Sequence, residues 1–412
     1  MRINQTARII STYSADNFGV CSALFELGGM IVMHDPSGCN STYTTHDEPR
    51  WYDSDSLIFI SAITEQDAVL GRDDKFISDV IESAEQFKPN FISIIPSQIA
   101  FLIGTDMKAI AHIIEKRTGI RCFTLPTNSM HYYCRGVYYA LEWLASEFIA
   151  QKKYAAKKSP SINILGVTPL DFSTNGAAAS MKHWLTDLGF RVNCWAMGED
   201  FKSIMQAPVS DINLVVTYGG LGAARKLQNA FGTPYVVGTP IGSMKNHLAK
   251  AIKKSLKDKK NRLAYLTDDT DLAILSPNTE SNMSAGTADN PLINAYRQNE
   301  FHENILIGES IYAQSLARAI ADANGKHYQT IVPVETERSL LAADTLQLTD
   351  EADLQPRFNK AQSIIADPMY QPIVAADTKF IRLPHEGFSG RLYRKEIPNL
   401  IAAGFDDFLR CL

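Results

Sequence analysis

One short stretch near the amino terminus of this 412-residue chain carries the residue types best suited to chemistry: His34, Asp35, Pro36, Ser37, Gly38 and Cys39. It follows an apolar run (GGMIVM) and precedes a hydroxyl-rich one (NSTYTTHDEPR). Proline fixes φ and glycine accepts positive φ, so the hexapeptide reads as a rigid turn at the end of a buried strand. A thiol on such a turn is either a small packing residue or a soft metal ligand, with Gly38 leaving room for a bulky inorganic group. His34 adds an imidazole whose ordinary pKa lies near neutrality, suited to proton donation. His385 in LPHEGFSG is a candidate for the same role, and Tyr218 and Arg391 are candidates for a substrate cleft. Each competes with a plain reading as a hydrogen-bonded structural side chain.

Other chemistries lack their signatures. There is no G-x-x-x-x-G-K-[ST], so the sequence shows no P-loop of its own. YGGLGAAR (218–225) sits where a strand gives way to a helix, but Arg225 stands where a third small residue belongs. No acidic residue follows about twenty positions later, so the segment reads as a glycine-rich turn and not a dinucleotide loop. C-x-x-C, H-E-x-x-H and G-x-S-x-G are all missing. Asp268, Asp269 and Asp271 read as a solvated acidic turn. The net charge of −5, without a long Lys/Arg block, argues against nucleic acid as a partner. No apolar run reaches the length of a membrane span, and MRINQTARIISTYSADN lacks the apolar core of a signal peptide. Cys21, Cys39, Cys122, Cys134, Cys194 and Cys411 are scattered, unlike a secreted disulfide framework. A soluble, cytoplasmic protein is expected.

The elements that must position these residues alternate between strand and helix. FISIIPS (91–97) and IRCFTLP (120–126) read as short buried strands. Between them Met107, Ile110, Ala111 and Ile114 recur at helical spacing, and Gly119 ends the helix. Similar βα series begin at INILGVT (162–168) and ENILIGE (303–309), whose unbroken apolar runs suit parallel strands covered on both faces. The basic stretch 152–161 and the aperiodic stretch 277–290 read as linkers. The expected fold class is α/β, with three doubly wound, Rossmann-like domains of mainly parallel sheets: 1–155 with the cysteine turn, 156–300 ending in a surface linker, and 301–412. In NSMHYYCRGVYY, the tyrosines Tyr132, Tyr133, Tyr138 and Tyr139 are better explained by core packing than by cofactor stacking.

Taken in order, HDPSGC, ITEQDAVLGR, KPNFISIIPSQIAFLIGTD, INLVVTYGGLGAARKLQNAFGTPYV and IRLPHEGFSG resemble component 1 of the nitrogenase superfamily. That family shows a H-G-P-x-G-C turn, a T/S-E-x-D-x-V-x-G-G segment and a C-P-x-x-L-I-G-D-D-like segment. The resemblance implies that Cys39 ligates an iron–sulfur cluster at a subunit interface. His34 matches the motif's histidine, while Asp35 replaces its glycine. A further family ligand falls on Gln98, which is no thiolate, and the upstream ligand falls near Ser14–Asp16, so Cys21 is named as second ligand although it lies a few residues late. The absence of the full cysteine set favours a four-iron cluster, [4Fe-4S], over an eight-iron one. The cysteine that anchors the nitrogenase cofactor aligns with Thr217, and the cofactor-binding histidine aligns loosely with His385. These departures imply a nitrogenase-like reductase that does not reduce dinitrogen. The expected function is a catalytic component 1 subunit that takes electrons from an ATP-hydrolysing iron-protein reductase and reduces a tetrapyrrole-like or other small-molecule substrate. Its expected partner is a homologous or identical component 1 subunit. The alternatives are a non-catalytic scaffold for metallocluster assembly and, outside the family, a ligand-binding protein sharing only the architecture.

Overall fold

The computed structural model describes residues 7–38, 40–54, 56–151, 160–266 and 302–412, with the backbone of 273–274. Three sheets follow one another along the chain. The first contains β1 (Met30–His34), β2 (Leu57–Ile60), β3 (Ile92–Pro96) and β4 (Cys122–Thr124), in the order β2-β1-β3-β4 and parallel throughout. The second contains β5 (Ser161–Leu165), β6 (Arg191–Cys194), β7 (Ile212–Val215), β8 (Tyr235–Val237), β9 (Arg262–Leu263) and β10 (Ala273–Ile274). Their order is β10-β9-β8-β7-β5-β6, with only β10 antiparallel to its neighbour. The third, all parallel, runs β13-β12-β11-β14-β15 and contains β11 (Asn304–Ile307), β12 (Gln329–Val332), β13 (Leu346–Gln347), β14 (Ser363–Ala366) and β15 (Lys379–Arg382). This is the α/β, Rossmann-like architecture with mainly parallel sheets that the alternating pattern implied. The linker at 277–290 and the acidic turn at 268–271 lie outside the described residues, as does most of the basic stretch at 152–161.

β3, β5 and β11 are flanked by strands on both sides and are buried almost throughout, as their apolar runs required. Alternation still decides which core each side chain joins. Met30, Val32, Ile92 and Ile94 pack with Phe76, Ile77 and Val80 of the helix Asp73–Phe87, and with Met107, Ile110 and Ile114 of the helix Met107–Thr118. Ile31, Met33 and Ile95 face the other way, into a larger core that runs on through the second and third sheets. Gly119 ends the helix Met107–Thr118 at φ 71°, where its N–H caps the Glu115 carbonyl. Among the described residues no helix is long and apolar enough to cross a membrane.

Two helices bind the units together. The helix Asp16–Leu24 is buried along its whole length, and it crosses the helix Tyr133–Gln151. The crossing is closer than side chains allow: a Cβ at Gly19 would lie 1.9 Å from the Tyr133 carbonyl oxygen, and one at Gly136 1.8 Å from that of Asp16. Backbone bonds fix the entry, with Tyr133 N–H donating to Ser14 O (3.0 Å) and Asp16 N–H to His131 O (2.9 Å). The chain end returns to the second unit, where Lys245 Nζ donates to Ile401 O at 2.7 Å and the Phe405 ring lies against Gly242.

Gly136→Ala should therefore force the two backbones apart and lower stability by at least about 1–3 kcal/mol, the usual cost of overpacking. Gly71→Ala, at a positive φ but with nothing within 4 Å of the added Cβ, is the comparison without a clash. Chemical denaturation of both variants checks this; equal losses would mean that the crossing is not the constraint.

Candidate functional site

In doubly wound sheets, ligand crevices form beyond the C-terminal strand ends, where neighbouring strands send their connections to opposite faces. In the second sheet that point lies between β5 and β7, and in the third between β11 and β14. The segments leaving these four strands meet. Asp171 and Thr217 come from the second sheet, and Glu309 and Asp367 from the third. Tyr133, at the start of the helix Tyr133–Gln151, closes the junction from the first unit.

At the junction Tyr133 Oη donates to Asp171 Oδ1 at 2.6 Å, and Thr168 Oγ1 donates to Asp171 Oδ2 at 3.3 Å. His385 Nε2 stands 3.5 Å from the same Oδ1, and its ring stacks on Phe388 with centroids 4.3 Å apart. Neither ring nitrogen of His385 has a hydrogen bond among the described residues, although the side chain is only 8% exposed. A Nε2 proton moved toward Asp171 would complete a His–Asp–Tyr chain. The His385 backbone is itself held, its N–H donating to Asp367 Oδ2 at 2.8 Å while Ser389 Oγ donates to the same oxygen at 2.8 Å. Tyr13 and Ser14 N–H groups bond to the carbonyls of Phe388 and Gly387, tying this segment to the first unit.

Glu309 is fully buried and accepts from the N–H groups of Tyr218 (2.9 Å), Ile311 (3.0 Å) and Tyr312 (2.9 Å). Ser310 Oγ adds a fourth donor at 2.9 Å. Burial, and then the charge of Asp171, push the Glu309 carboxyl up to about 7. Glu386, beside His385 in sequence, is also raised to about 7 by burial, against the opposing pull of Arg394. Thr217 does not face the junction with a free hydroxyl: its Oγ1 donates to Gly166 O at 2.6 Å. Tyr218 is buried, its hydroxyl accepting from Arg135 Nη1 at 2.7 Å. The glycine-rich turn is filled by protein: a Cβ at Gly222 would lie 2.7 Å from the Tyr138 ring, and one at Gly220 2.5 Å from Leu165. This closeness to neighbouring chain, not a phosphate, accounts for its glycines. Arg391 is at the surface, 3.6 Å from Asp47 and half exposed.

His34 is placed elsewhere, so the two histidines expected to move protons do not share a site. It ends β1, its Nδ1 bonds Ser61 Oγ at 2.9 Å, and its ring stacks on Phe76 at 4.1 Å. Burial lowers its pKa to about 4. At neutral pH it is an uncharged imidazole, unsuited to the acid role expected of it.

The cysteines separate as well. Cys39 lies outside the described residues. The turn leading to it, Ser37–Gly38, is exposed, and a Cβ on Gly38 would meet nothing within 4 Å, which suits the approach of a bulky group. Cys21 lies inside the helix Asp16–Leu24, wholly buried in the main core, and burial and Glu48 push its thiol up. That setting suits a packing residue better than an interface ligand. Gln98 is exposed at the start of the helix Gln98–Leu102. Among the described residues no group of three or more His, Cys, Asp or Glu side chains could hold a metal ion. Sequence reasoning passed over Asp171, Glu309, Asp367 and Glu386, because single acids in apolar surroundings carry no spacing signal; the strand-end positions of Asp171 and Glu309 were the one available hint.

Comparison with known proteins places this geometry among relatives. The family described as nitrogenase component 1 type oxidoreductase matches residues 18–269, more than half of the chain. The light-independent protochlorophyllide reductase chain from Prosthecochloris aestuarii (strain DSM 271 / SK 413) is 25% identical over 218 residues, 51% of this chain and 39% of that protein. The nitrogenase molybdenum-iron protein alpha chain of Clostridium pasteurianum is 25% identical over 224 residues, 50% of this chain and 40% of that one. The nitrogenase iron-molybdenum cofactor biosynthesis protein NifE of the same organism is 26% identical over 211 residues, 50% of this chain and 45% of NifE. These matches thus span less than half of each relative's length. In fold, a chain of nitrogenase Cp1 at pH 6.5 superposes with a TM-score of 0.66 at 13% identity, covering 100% of this chain and 94% of that one.

The raised carboxyls give stability a definite pH dependence. A carboxyl whose folded pKa exceeds its unfolded value stabilises most below the unfolded value, and that contribution is lost as pH rises through the folded one. Glu309 and Glu386 should therefore weaken the fold between about pH 4.5 and 7. His34, lowered to about 4, acts in the opposite sense and loses its contribution as pH falls from 6.5 toward 4. Glu309→Gln keeps an acceptor for the backbone N–H groups without the charge. Denaturation midpoints at pH 5.5 and 8 should differ less in this variant than in the parent, and an unchanged difference would mean that Glu309 is ionised in both.

Proposed function

Because the chain belongs to the nitrogenase component 1 type oxidoreductase family, we propose that it is the substrate-reducing subunit of a nitrogenase-like reductase acting in the cytoplasm on a tetrapyrrole-like or other small molecule, and not on dinitrogen. The observation that carries the reading is the convergence of His385, Asp171, Tyr133 and Glu309 at the meeting strand ends of the second and third sheets. Reduction of an unsaturated substrate consumes protons with electrons, and this junction holds groups that can supply them from a buried position. His385 is the donor nearest the chain leaving β15; Asp171 orients it and Tyr133 holds Asp171. Glu309, with a carboxyl titrating near neutrality, is a second proton store behind Asp171. Thr217, bonded to the Gly166 carbonyl, offers no thiolate for a covalently held heterometal cofactor.

A reduction needs low-potential electrons, and this sequence shows no P-loop with which to drive their delivery by ATP hydrolysis. We assign the supply to a separate ATP-hydrolysing iron-protein reductase, delivered through an iron–sulfur cluster, a [4Fe-4S] centre by this reading, on the Cys39 turn at an interface with a second component 1 subunit. A bound cluster supplies single low-potential electrons. With Cys21 enclosed in the core, we assign Cys39 as this chain's ligand and the remainder to the partner subunit, which favours a homologous over an identical partner. Exposed apolar side chains of the first unit support a covered surface: Val69 is 78% and Leu102 66% exposed, on the helices Glu65–Leu70 and Gln98–Leu102. A second reading, a scaffold that assembles a metallocluster without catalysis, is favoured by the likeness to NifE.

Iron analysis of anaerobically purified assembly tests the cluster assignment. Cys39→Ala should remove iron and visible absorption with the fold intact, and Cys21→Ala should retain iron while lowering stability by about 1 kcal/mol. Iron lost only from Cys21→Ala would reverse the assignment, and stoichiometric molybdenum or vanadium would contradict the Thr217 argument. Turnover of a tetrapyrrole substrate with added reductase and ATP, abolished in His385→Gln without loss of iron, separates the reductase from the scaffold. Iron binding with no turnover of any substrate would leave the scaffold.

A further inference from the structure

We infer that the first sheet carries its own ligand site, at the C-terminal ends of β1 and β3, and that it takes a small organic cation with an apolar body. The position is the topological switch point of that sheet, because β1 pairs with β2 on one side and β3 on the other. A cavity of about 320 Å³ opens there, within the size range of small-molecule sites. His34 and Phe76 are buried members of its lining, stacked on each other. The bond from Ser61 to Nδ1 fixes the imidazole, while Nε2 has no hydrogen-bond partner among the described residues, so one ring nitrogen is left to bind a ligand. Ile63, Ala68 and Ile103 give the walls apolar area.

Charge selects the class of ligand. Four aspartates line the cavity (Asp67, Asp73, Asp79 and Asp106) against two basic residues, Arg72 and Lys75. Lys75 is already paired with Asp79 at 2.6 Å. Asp73 has no ion pair among the described residues, and burial, then the charges of Asp74 and Asp106, raise its pKa. The two helices that begin at the cavity, Asp73–Phe87 and Met107–Thr118, would ordinarily draw an anion to their N-termini. Here Asp73 occupies the first turn of one and Asp106 caps the other, through Ala109 N–H at 3.0 Å. The protein's own carboxylates take the anion's place and leave the mouth negative. Asp73 and Asp106 line the cavity close enough for the charge of one to bear on the other, and between them they would hold an ammonium group whose apolar body lies toward Phe76 and His34. A neutral imidazole, as burial makes His34, does not repel such a ligand.

Binding to this site requires neither a reductase nor a partner subunit, so its failure leaves the proposed reaction untouched. Titration of the full chain with phenethylamine, followed calorimetrically and by the ring resonances of His34, is the test. Saturable binding that shifts the His34 signals, and that weakens about tenfold or more in Asp73→Asn and in Asp106→Asn, is expected. Asparagine at 106 still caps its helix, so the second variant keeps the fold. Absence of saturation up to about 10 mM, in the weak-binding range, would overturn the inference. So would binding indifferent to both variants, or binding of inorganic phosphate at the same residues.

Discussion

Two buried carboxylates, Asp171 and Glu309, have no lysine or arginine partner among the described residues, and their burial constrains the middle of this molecule. Burying a charge is costly unless hydrogen bonds replace water. The donors that do so come from different parts of the chain. Glu309 draws its N–H groups from Tyr218, beyond β7, and from the first turn of its own helix. Asp171 draws on Tyr133, from the helix that follows the first sheet. Each acid takes part of its hydrogen bonding from a neighbouring unit, Asp171 from the first and Glu309 from the second, so polar satisfaction and the docking of the units are linked. Burial, with the proximity of the two acids, then raises Glu309 toward neutrality, which stores a removable proton where the strand ends meet.

That arrangement depends in turn on helix spacing. Tyr133 reaches Asp171 only because its helix lies against the helix Asp16–Leu24 at backbone distance, through Gly19 and Gly136. The same helix fills the glycine-rich turn after β7 with Val137 and Tyr138. Asp16 secures the approach from below, its carboxylate accepting from the N–H groups of Asn128 and Ser129 and its pKa raised by burial to about 6. A single layer of small residues and buried acids thus sets the geometry of the junction.

The chain separates two kinds of surroundings that suit two kinds of chemistry. The junction is buried and acidic, with Glu309 raised to about 7. The first sheet ends in an open, negatively lined cavity over a neutral imidazole, which suits binding and not proton transfer. Beside it stand the exposed apolar side chains of Val69 and Leu102. The junction and the cavity thus belong to different sheets of the protein.

Local pattern determined the elements. The apolar runs at 92–96, 161–165 and 304–307 became central parallel strands because only strands covered on both faces tolerate such runs. The helix at 107–118, its four buried residues and its glycine stop were likewise legible, since spacing and capping are short-range physics. The order of the motifs was enough to indicate the family. Tertiary structure alone decided the rest. Whether His34 and His385 act together, whether Cys21 faces a surface or a core, and which acids are raised toward neutrality all depend on burial and on partners over a hundred residues away in sequence. Asp171 and Glu309 are 138 positions apart (309 − 171), and beyond their places after strands nothing local marks them as neighbours. Their proximity exists only because the second and third sheets dock with their strand ends together, an outcome of packing that no window of sequence contains.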